Sequence, residues 1–381
     1  MSRNLMIVAG ELSGDMYGGR LARALLKKAP GTVLSGIGGD NMAEAGVRID
    51  VHINDLSVMG IWDVLREARR LKKILARARE SLRNTRPDGL ILIDFYRFNI
   101  ELAREAKRFG IPVVYYVAPK LWVWGEGRIK KLRQYVDHIL AIFPFEEEYF
   151  SSRRMPVSYV GNPLTEILSD TAINTEPPIE RENDELLVAL LPGSRPSEVR
   201  HLLPRFLGAA ELISRKFDGK VTFHIPLPRT IPRELVEEMI GRAGVEATVI
   251  QGRSREILRI SDVALVASGT ATLEAFLLGT PQIVAYHASW LSYFIGKRLV
   301  RIEHFSLPNI LAGSNVVEEL LQTEVTPERL AREALDLLEE NSSAREEYLK
   351  AGREVLHALR GGEASRLAAE KALQIFSGNT A

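Results

Sequence analysis

The sequence predicts an α/β protein with two doubly wound parallel-sheet domains and a C-terminal helical tail. Short apolar runs alternate with segments of helical periodicity along most of the chain, which is the pattern of strands covered by helices on both faces. The length of 381 residues suits two domains of moderate size better than one hydrophobic core. From about Pro327 to Phe376 the periodicity is helical and no strand pattern returns.

The first domain is predicted at residues 1–168. Its candidate strands, in chain order, are LMIVAG, VLSGIGG, GLILID, PVVYYVA and HILAIF. Helical patterns near residues 18–28, 61–83 and 100–109 lie between them. Because these strands are apolar along their whole length, we expect them inside a parallel sheet.

The second domain, predicted at residues 186–340, repeats this scheme with LLVALLPG, VTFHIPL, ATVIQG, VALVASG and PQIVAY. Residues 169–185 are acidic, contain prolines and lack apolar periodicity, which predicts a linker. Residues 341–381 form the tail, whose final part we expect to pack back on the first domain. Two such domains would face a cleft lined by the carboxyl ends of their strands, where ligands of these sheets bind.

The composition excludes several classes of function. A formal net charge of +1 gives no general attraction to nucleic acid, and the absence of cysteine excludes disulfides, thiolate metal sites and cysteine nucleophiles. The seven histidines show no HExxH or similar spacing, so we expect no metal. The first apolar run is much shorter than a signal-peptide core or a membrane span, so we expect a cytoplasmic protein.

An anion site is predicted where LLPGSRPSEVR leaves its strand. Gly193 permits close backbone approach, Ser194 offers a hydroxyl and Arg195 offers a planar fork of donors for phosphate oxygens. Pro196 and Glu198 predict the start of a helix, whose exposed N–H groups would add to the site. The alternative is an ordinary strand–helix turn with a solvated arginine.

A second strand ends at Ser268, Gly269 and Thr270, small residues that allow a helix N-terminus to approach a diphosphate. Glu274 follows one helical turn later. Since a carboxylate repels phosphate, we expect it to accept hydrogen bonds from sugar hydroxyls. Alternatively, Glu274 only complements the helix dipole.

The loops AGELSGDMYGG and SGIGGDNM are rich in glycine but lack the GxGxxG pattern, which disfavours a nicotinamide enzyme. Glu11, Ser13 and Asp15 are candidates to face a second substrate. Turn formation explains serine, glycine and aspartate in such a loop equally well.

A membrane contact is predicted at an apolar patch consisting of Val58, Met59, Ile61, Trp62 and Leu65. A strongly basic helix follows, with seven Arg and Lys residues between positions 66 and 79. Apolar side chains beside basic ones suit a protein that binds the surface of an anionic bilayer. The alternative is an amphipathic surface helix with a solvated charged face.

Nine motifs together resemble the bacterial lipid-A-disaccharide synthases. In chain order they are AGELSGD, GIGGDNM, SVMGIWDVL, DFYRFN, APKLWVW, FPFE, LLPGSR, ASGTATLE and SLPNILAG. They extend over roughly residues 5 to 315, which is nearly the whole of both predicted domains.

The resemblance implies a GT-B glycosyltransferase that needs no metal or other cofactor. Its substrates would be UDP-2,3-diacylglucosamine and 2,3-diacylglucosamine 1-phosphate, joined as a β(1→6) disaccharide with release of UDP. The protein would lie peripherally on the cytoplasmic face of the inner membrane, with a homo-oligomer left open. A UDP-sugar epimerase and a non-catalytic UDP-sugar-binding protein of the same fold are the alternative functions.

The resemblance also implies roles for individual residues. Arg195, with Ser194 and residues 268–270, would neutralise the leaving diphosphate, Glu274 would hold the ribose, and Asn309 would line the nucleotide pocket. Asp94, Glu11 and Asp15 are the candidate catalytic acids of the first domain. Ser13, Arg97, Asn99 and Trp122 would contact the acceptor.

The DFYRFN motif departs from the family. Many members carry a second aspartate, a favoured candidate for the catalytic base, where this chain has Arg97, and arginine cannot accept a proton at neutral pH. Either another acid serves as base, or the base was never general, or the protein does not transfer sugar. Asn162 replaces a histidine that is common in the family.

Overall fold

The computed structural model describes residues 3–56, 64–122, 126–174, 185–287, 304–338, 343–359 and 363–378. The chain divides into two compact units. The first contains Met1–Glu166 and Leu359–Ala381, and the second contains Ile167–Ala358. Each unit is built on one parallel sheet with helices packed on it.

The sheet of the first unit has seven strands in the order β3-β2-β1-β4-β5-β6-β7. The strands are β1 (Asn4–Ala9), β2 (Val33–Gly38), β3 (Arg48–His52), β4 (Gly89–Ile93), β5 (Val113–Tyr116), β6 (His138–Ala141) and β7 (Val157–Tyr159). The helices that follow them in the chain are α1 (Leu12–Lys28), α2 (Asp40–Glu44), α3 (Val64–Thr85), α4 (Tyr96–Arg108), α5 (Ile129–Tyr135), α6 (Pro144–Ser151) and α7 (Pro163–Asn174).

The sheet of the second unit has six strands in the order β10-β9-β8-β11-β12-β13. They are β8 (Leu186–Leu191), β9 (Val221–Leu227), β10 (Thr248–Gln251), β11 (Val263–Ala267), β12 (Gln282–Tyr286) and β13 (Glu318–Leu321). The helices here are α8 (Pro196–Lys216), α9 (Arg233–Ala243), α10 (Ser254–Ile260), α11 (Thr270–Leu278), α12 (Leu307–Ala312), α13 (Pro327–Leu338) and α14 (Ser343–Ala358). The last helix, α15 (Ala364–Phe376), belongs to the first unit.

The pairing confirms the predicted parallel sheets, since every strand pair in the described residues is parallel. Residues Gly89–Ile93 of β4, Leu186–Leu191 of β8 and Val263–Ala267 of β11 are buried along their whole length. Burial on both faces explains why these strands are continuously apolar in the sequence.

Both sheets share one topological feature. The first strand of each lies between the second and the fourth, so β1 is flanked by β2 and β4, and β8 is flanked by β9 and β11. At such a point the connections leave on opposite faces and open a crevice at the carboxyl ends of the strands. The loops after β1 and β4, and those after β8 and β11, therefore border the natural ligand sites of the two units.

One boundary differs from the sequence prediction, because the linker was expected from residue 169, whereas α7 continues to Asn174. The final part of the tail was expected to pack back on the first domain. The first helix of the tail, α14, packs instead on α11 and α12 of the second unit. The cause is Tyr348, which is buried with its ring centroid 5.1 Å from that of Phe276 and donates a hydrogen bond to the carbonyl of Thr280 at 2.6 Å.

The final helix α15 packs on α1 and is tied down by Glu166. The two carboxylate oxygens of Glu166 accept hydrogen bonds from the backbone N–H of Ser365 at 2.7 Å and from its hydroxyl at 2.6 Å. Arg20 lies 3.7 Å from the same carboxylate. Glu166 therefore provides the hydrogen-bond acceptor for a backbone N–H in the first turn of α15, 199 residues further along the chain.

Glu166→Ala is expected to destabilise the first unit by about 3 kcal/mol, because it leaves buried donors of Ser365 without an acceptor. The measurement is denaturant unfolding, with hydrogen exchange of α15 as a local readout. Glu370→Ala is the control, since Glu370 on the same helix pairs with the exposed Lys28. Equal effects of the two substitutions would contradict the role given to Glu166.

Candidate active site

The loop after β8 places Arg195 at the carboxyl edge of the second sheet. Gly193 has a φ of +116°, a conformation that glycine adopts without strain. Arg195 is the N-cap of α8, and Pro196 occupies the first helical position, where its missing N–H costs nothing. The Arg195 side chain is 60% exposed and so remains accessible to a ligand.

The helix start at this loop is occupied by the Glu198 carboxylate. Its Oε2 accepts the backbone N–H groups of Ser194 at 3.0 Å and Arg195 at 3.2 Å, and its Oε1 accepts Nη1 of Arg195 at 3.1 Å. A Cβ on Gly193 would lie 2.4 Å from Glu198 Oε2, so the glycine is required for this close packing. The backbone N–H groups of Ser194 and Arg195 are therefore already bonded to Glu198, and the exposed guanidinium of Arg195 is the cationic group of this loop.

The loop after β11 begins beside this one, because β8 and β11 are paired with Leu191 opposite Val266. Ser268, Gly269 and Thr270 are partly exposed, and Gly269 is the N-cap of α11. A Cβ on Gly269 would meet no atom within 4 Å. The start of α11 thus offers open space after the strand that neighbours β8, as a diphosphate site requires.

Glu274 is buried and paired with Arg255, a residue that the sequence reading missed. Arg255 Nη2 donates to Glu274 Oε1 at 3.3 Å. The arginine belongs to α10, which packs on α11. This packing brings together two side chains that are 19 residues apart in sequence. No local motif indicates this pairing. The ion pair orients the carboxylate that is expected to hold a ribose.

Asn309 is completely buried and its amide holds a turn. Its Nδ2 donates to the carbonyl of Val317 at 3.0 Å and to Glu319 Oε1 at 2.9 Å, and its Oδ1 accepts the backbone N–H groups of Val316 and Val317. These contacts give Asn309 a structural role after α12. Contact with the nucleotide stays a prediction.

In the first unit, Asp15 is also used for structure. It is 1% exposed, and its carboxylate accepts hydrogen bonds from the backbone N–H of Gly39 at 2.6 Å, Asn41 at 3.1 Å and Met42 at 3.2 Å, and from Asn41 Nδ2 at 2.8 Å. It thereby caps α2. Glu11, in contrast, is exposed at the N-cap of α1, and Ser13 is half-buried in its first turn.

The turn after β4 is strained. Asp94 and Phe95 have φ values of 46° and 47°, a left-handed conformation that costs roughly 1–3 kcal/mol for each non-glycine residue. Asn99 Nδ2 holds the turn by donating to the carbonyls of Ile93 at 3.1 Å and Asp94 at 2.7 Å. The Tyr115 hydroxyl also donates to the Asp94 carbonyl, and burial raises the pKa of that hydroxyl, which therefore stays protonated.

This strained turn sits against the loop after β1, since Ala9 pairs with Ile93 across the sheet. A Cβ on Gly10 would lie 2.3 Å from the Phe95 ring, so the two loops touch. The half-buried Asp94 therefore lies at the crevice of the first unit, and Arg97 is exposed on the first turn of α4. Asn99 is completely buried and acts on the turn rather than reaching outward.

Trp122 is bonded to Glu146, which no motif-based role had singled out. Trp122 Nε1 donates to Glu146 Oε1 at 3.3 Å. Burial raises the pKa of the Glu146 carboxyl to about 7, because desolvation outweighs the opposing effects of the hydrogen bonds and of the nearby Lys120. Glu146 is therefore a buried acid that titrates near neutral pH.

Most of the predicted membrane patch lies outside the described residues, namely Val58, Met59, Ile61 and Trp62 together with the side chain of Leu65. The helix α3 that follows is amphipathic. Ile74 and Ala78 are buried, whereas the side chains on its outer face are exposed, including Arg69, Arg70, Lys72, Lys73 and Arg77. No helix in the described ranges combines the length and apolarity needed to cross a membrane.

Where side chains are described, no three His, Asp or Glu residues are grouped closely enough to bind a metal ion.

Asp15→Ala is expected to destabilise the protein by about 3 kcal/mol, because four N–H groups at the start of α2 lose their acceptor. Denaturant unfolding is the measurement. Glu11→Ala, at an exposed acid of the same loop, is expected to change stability little. A stable Asp15→Ala protein that loses activity would instead indicate direct participation in chemistry.

Glu146→Gln tests the raised pKa. A carboxyl whose pKa rises from 4.5 to about 7 on folding contributes stability that is complete below about pH 4.5 and lost as the pH rises through 7. The wild type should therefore lose about 3 kcal/mol relative to Glu146→Gln between those pH values. Unfolding free energies at pH 5, 6, 7 and 8 provide the test, and parallel pH profiles would disprove the raised pKa.

The family described as lipid-A-disaccharide synthetase matches residues 5–376. A lipid-A-disaccharide synthase from Syntrophus aciditrophicus (strain SB) is 40% identical over 340 residues, which cover 88% of each chain.

Solved structures establish the fold. UDP-GlcNAc 2-epimerase from Neisseria meningitidis, bound to UDP-GlcNAc, has a TM-score of 0.67 at 16% identity and covers 98% of this chain and 100% of its own. The calicheamicin glycosyltransferase CalG4 has a TM-score of 0.60 at 16% identity, with 99% of each chain covered. These likenesses confirm a GT-B fold of two Rossmann-like domains. The family match extends over nearly the whole chain and includes the strand-end loops at both crevices. The chain therefore belongs to the lipid-A-disaccharide synthetase family.

Proposed function

We propose that this protein is an inverting hexosyltransferase that makes the lipid A disaccharide. It moves 2,3-diacylglucosamine from its UDP derivative to the 6-hydroxyl of 2,3-diacylglucosamine 1-phosphate, forming a β(1→6) bond and UDP. The proposal rests on the family to which the chain belongs and on one observation in the second unit. The strands that lead to Arg195 and to the open start of α11 are neighbours and end at the same crevice. Both substrates carry their own reacting atoms, so the reaction needs no cofactor.

The second unit would bind the donor. As the acceptor oxygen attacks, the bond from the anomeric carbon to the diphosphate breaks and negative charge moves to the departing UDP. Arg195, Ser194 and the Ser268–Thr270 turn would stabilise that charge, which grows in the transition state. Glu274, oriented by Arg255, would accept hydrogen bonds from the ribose hydroxyls. Asn309 would act through the turn that it holds.

The first unit would bind the acceptor and remove its proton. Asp94 is our candidate base, because it lies at the crevice on a turn that Asn99 and Tyr115 hold in a strained conformation. Glu11, exposed on the adjacent loop, is the second candidate. The four hydrogen bonds on Asp15 make it a supporting residue rather than a base.

Arg97 would bind the acceptor 1-phosphate, since it is exposed one turn from Asp94 and keeps its charge. Ser13 and Trp122 would line the same acceptor site. The positive outer face of α3 supports association with the cytoplasmic face of the inner membrane, where both acylated substrates reside. Val58, Met59, Ile61, Trp62 and Leu65 remain the proposed apolar contact. A homo-oligomer stays an open prediction.

The test is a mass-spectrometric assay of both substrates in detergent. Wild type should form the disaccharide phosphate, Asp94→Asn should lower kcat by about a hundredfold or more, and Arg195→Ala by a similar factor. Arg233→Ala, which breaks only an exposed pair on α9, is the control and should retain activity.

Other outcomes separate the alternatives. Conversion of the UDP-sugar without acceptor would indicate an epimerase, and UDP binding without any product would indicate a binding protein. An active Asp94→Asn protein would shift the base to Glu11, to be tested with Glu11→Gln.

A further inference from the structure

The FPFE motif contains a buried carboxylate that the proposed reaction does not use. Glu146 is the third residue of α6, behind Pro144, and is 1% exposed. Its Oε2 accepts the backbone N–H groups of Ile142 and Phe143, both at 3.2 Å. This half of the carboxylate caps the helix, as an acid at that position commonly does.

The other oxygen reaches a different part of the sheet. Glu146 Oε1 accepts Nε1 of Trp122, which belongs to the segment after β5, whereas Glu146 follows β6. These two strands are neighbours, with Tyr116 paired to Leu140. The hydrogen bond therefore ties together two adjacent loops at the carboxyl edge of the first sheet.

Aromatic packing fixes the same indole. The Trp122 ring meets Phe145 edge to face, with centroids 5.0 Å apart and planes at 90°. Phe145 in turn stacks on Phe143 at 5.7 Å, with planes only 3° apart. The ring contacts restrict the plane of the indole, and the bond to Glu146 sets which edge faces inward.

The helix cap uses only one oxygen of this buried carboxylate. Burying an ionisable group is costly unless its polar atoms find hydrogen-bond partners. The raised pKa of Glu146 reflects the cost of burial. The second oxygen of the carboxylate finds its partner in the indole N–H of Trp122.

The second unit repeats the arrangement. Glu198 is likewise the third residue of a helix that starts with proline, and its Oε2 accepts two consecutive backbone N–H groups while its Oε1 bonds to Arg195. In each unit, one carboxylate thus caps a helix with one oxygen and bonds to a side chain with the other. That side chain, Trp122 or Arg195, is one that the proposed reaction places at a substrate.

We propose that Glu146 is a positioning residue that orients Trp122 toward the acceptor lipid. The proposal rests on the acceptor role of Trp122 in the proposed function. Glu146 itself is too buried to touch substrate and acts only through the indole.

Glu146→Gln separates the two duties of this residue. The amide oxygen of glutamine can still accept the N–H groups of Ile142 and Phe143, but its NH2 group would then face the indole N–H, and two donors do not bond. Trp122→Phe removes the same hydrogen bond from the other side while keeping an aromatic ring. Glu324→Gln is the control, because Glu324 likewise accepts a backbone N–H, that of Leu321, and bonds to a side chain, that of Arg329, at a more exposed place away from the proposed site residues.

Steady-state kinetics with the acceptor and the donor varied in turn provide the measurement. Glu146→Gln should raise the acceptor KM by about tenfold, the equivalent of one hydrogen bond, and leave the donor KM and kcat within about twofold. In the Trp122→Phe background, Glu146→Gln should have no further effect on the acceptor KM. Glu324→Gln should match wild type.

Two results would overturn the positioning role. One is an unchanged acceptor KM in Glu146→Gln, and the other is an equal loss from that substitution with and without the indole N–H.

Failure of the proposed function would give a different result. If wild type makes no disaccharide, equilibrium binding of detergent-solubilised 2,3-diacylglucosamine 1-phosphate replaces kinetics, and the same coupling is then sought in Kd. Absence of acceptor binding in wild type would refute both.

Discussion

Carboxylates that accept backbone N–H groups hold the edges of both sheets together. At the helix starts these acids are Asp15 for α2, Glu146 for α6, Glu198 for α8, Glu319 for α12 and Glu166 for α15. At the opposite edges, Asp88, Asp137 and Asp262 accept N–H groups at the starts of β1, β5 and β8. Apart from those of Asn4 and Ser194, which are at exposed positions, these N–H groups are partly or fully buried and need an acceptor from the protein.

This constraint limits which acids remain for chemistry. Asp15 belongs to the AGELSGD motif, yet its oxygens are all engaged by α2. Of the acids at the crevice of the first unit, Asp94 and Glu11 are the ones whose side chains face outward at least in part. Arg97, exposed on the first turn of α4, adds no further candidate base, because arginine cannot accept a proton at neutral pH.

The two units use related solutions at their crevices. In the first, a strained turn at Asp94 and Phe95 packs against Gly10, and Asn99 with Tyr115 holds it in place. In the second, Gly193 relieves the strain and Glu198 fills the space beside it. In both cases a polar side chain fixes the backbone at the strand end, next to the partly exposed Asp94 in the first unit and the exposed Arg195 in the second.

The sequence by itself determined the fold class, the parallel strands and the position of Arg195 and Ser268–Thr270 at strand ends. These features depend on local periodicity and on residues that follow one another in the chain. The tertiary structure decided the rest: the structural duties of Asp15, Asn99 and Asn309, the pairing of Arg255 with Glu274, the link from Glu146 to Trp122 and the placement of α14. Hydrogen-bond partners in this second group lie up to 27 residues apart, or 68 for the Tyr348 contact. Only folding brings such partners together, so no window of sequence contains them.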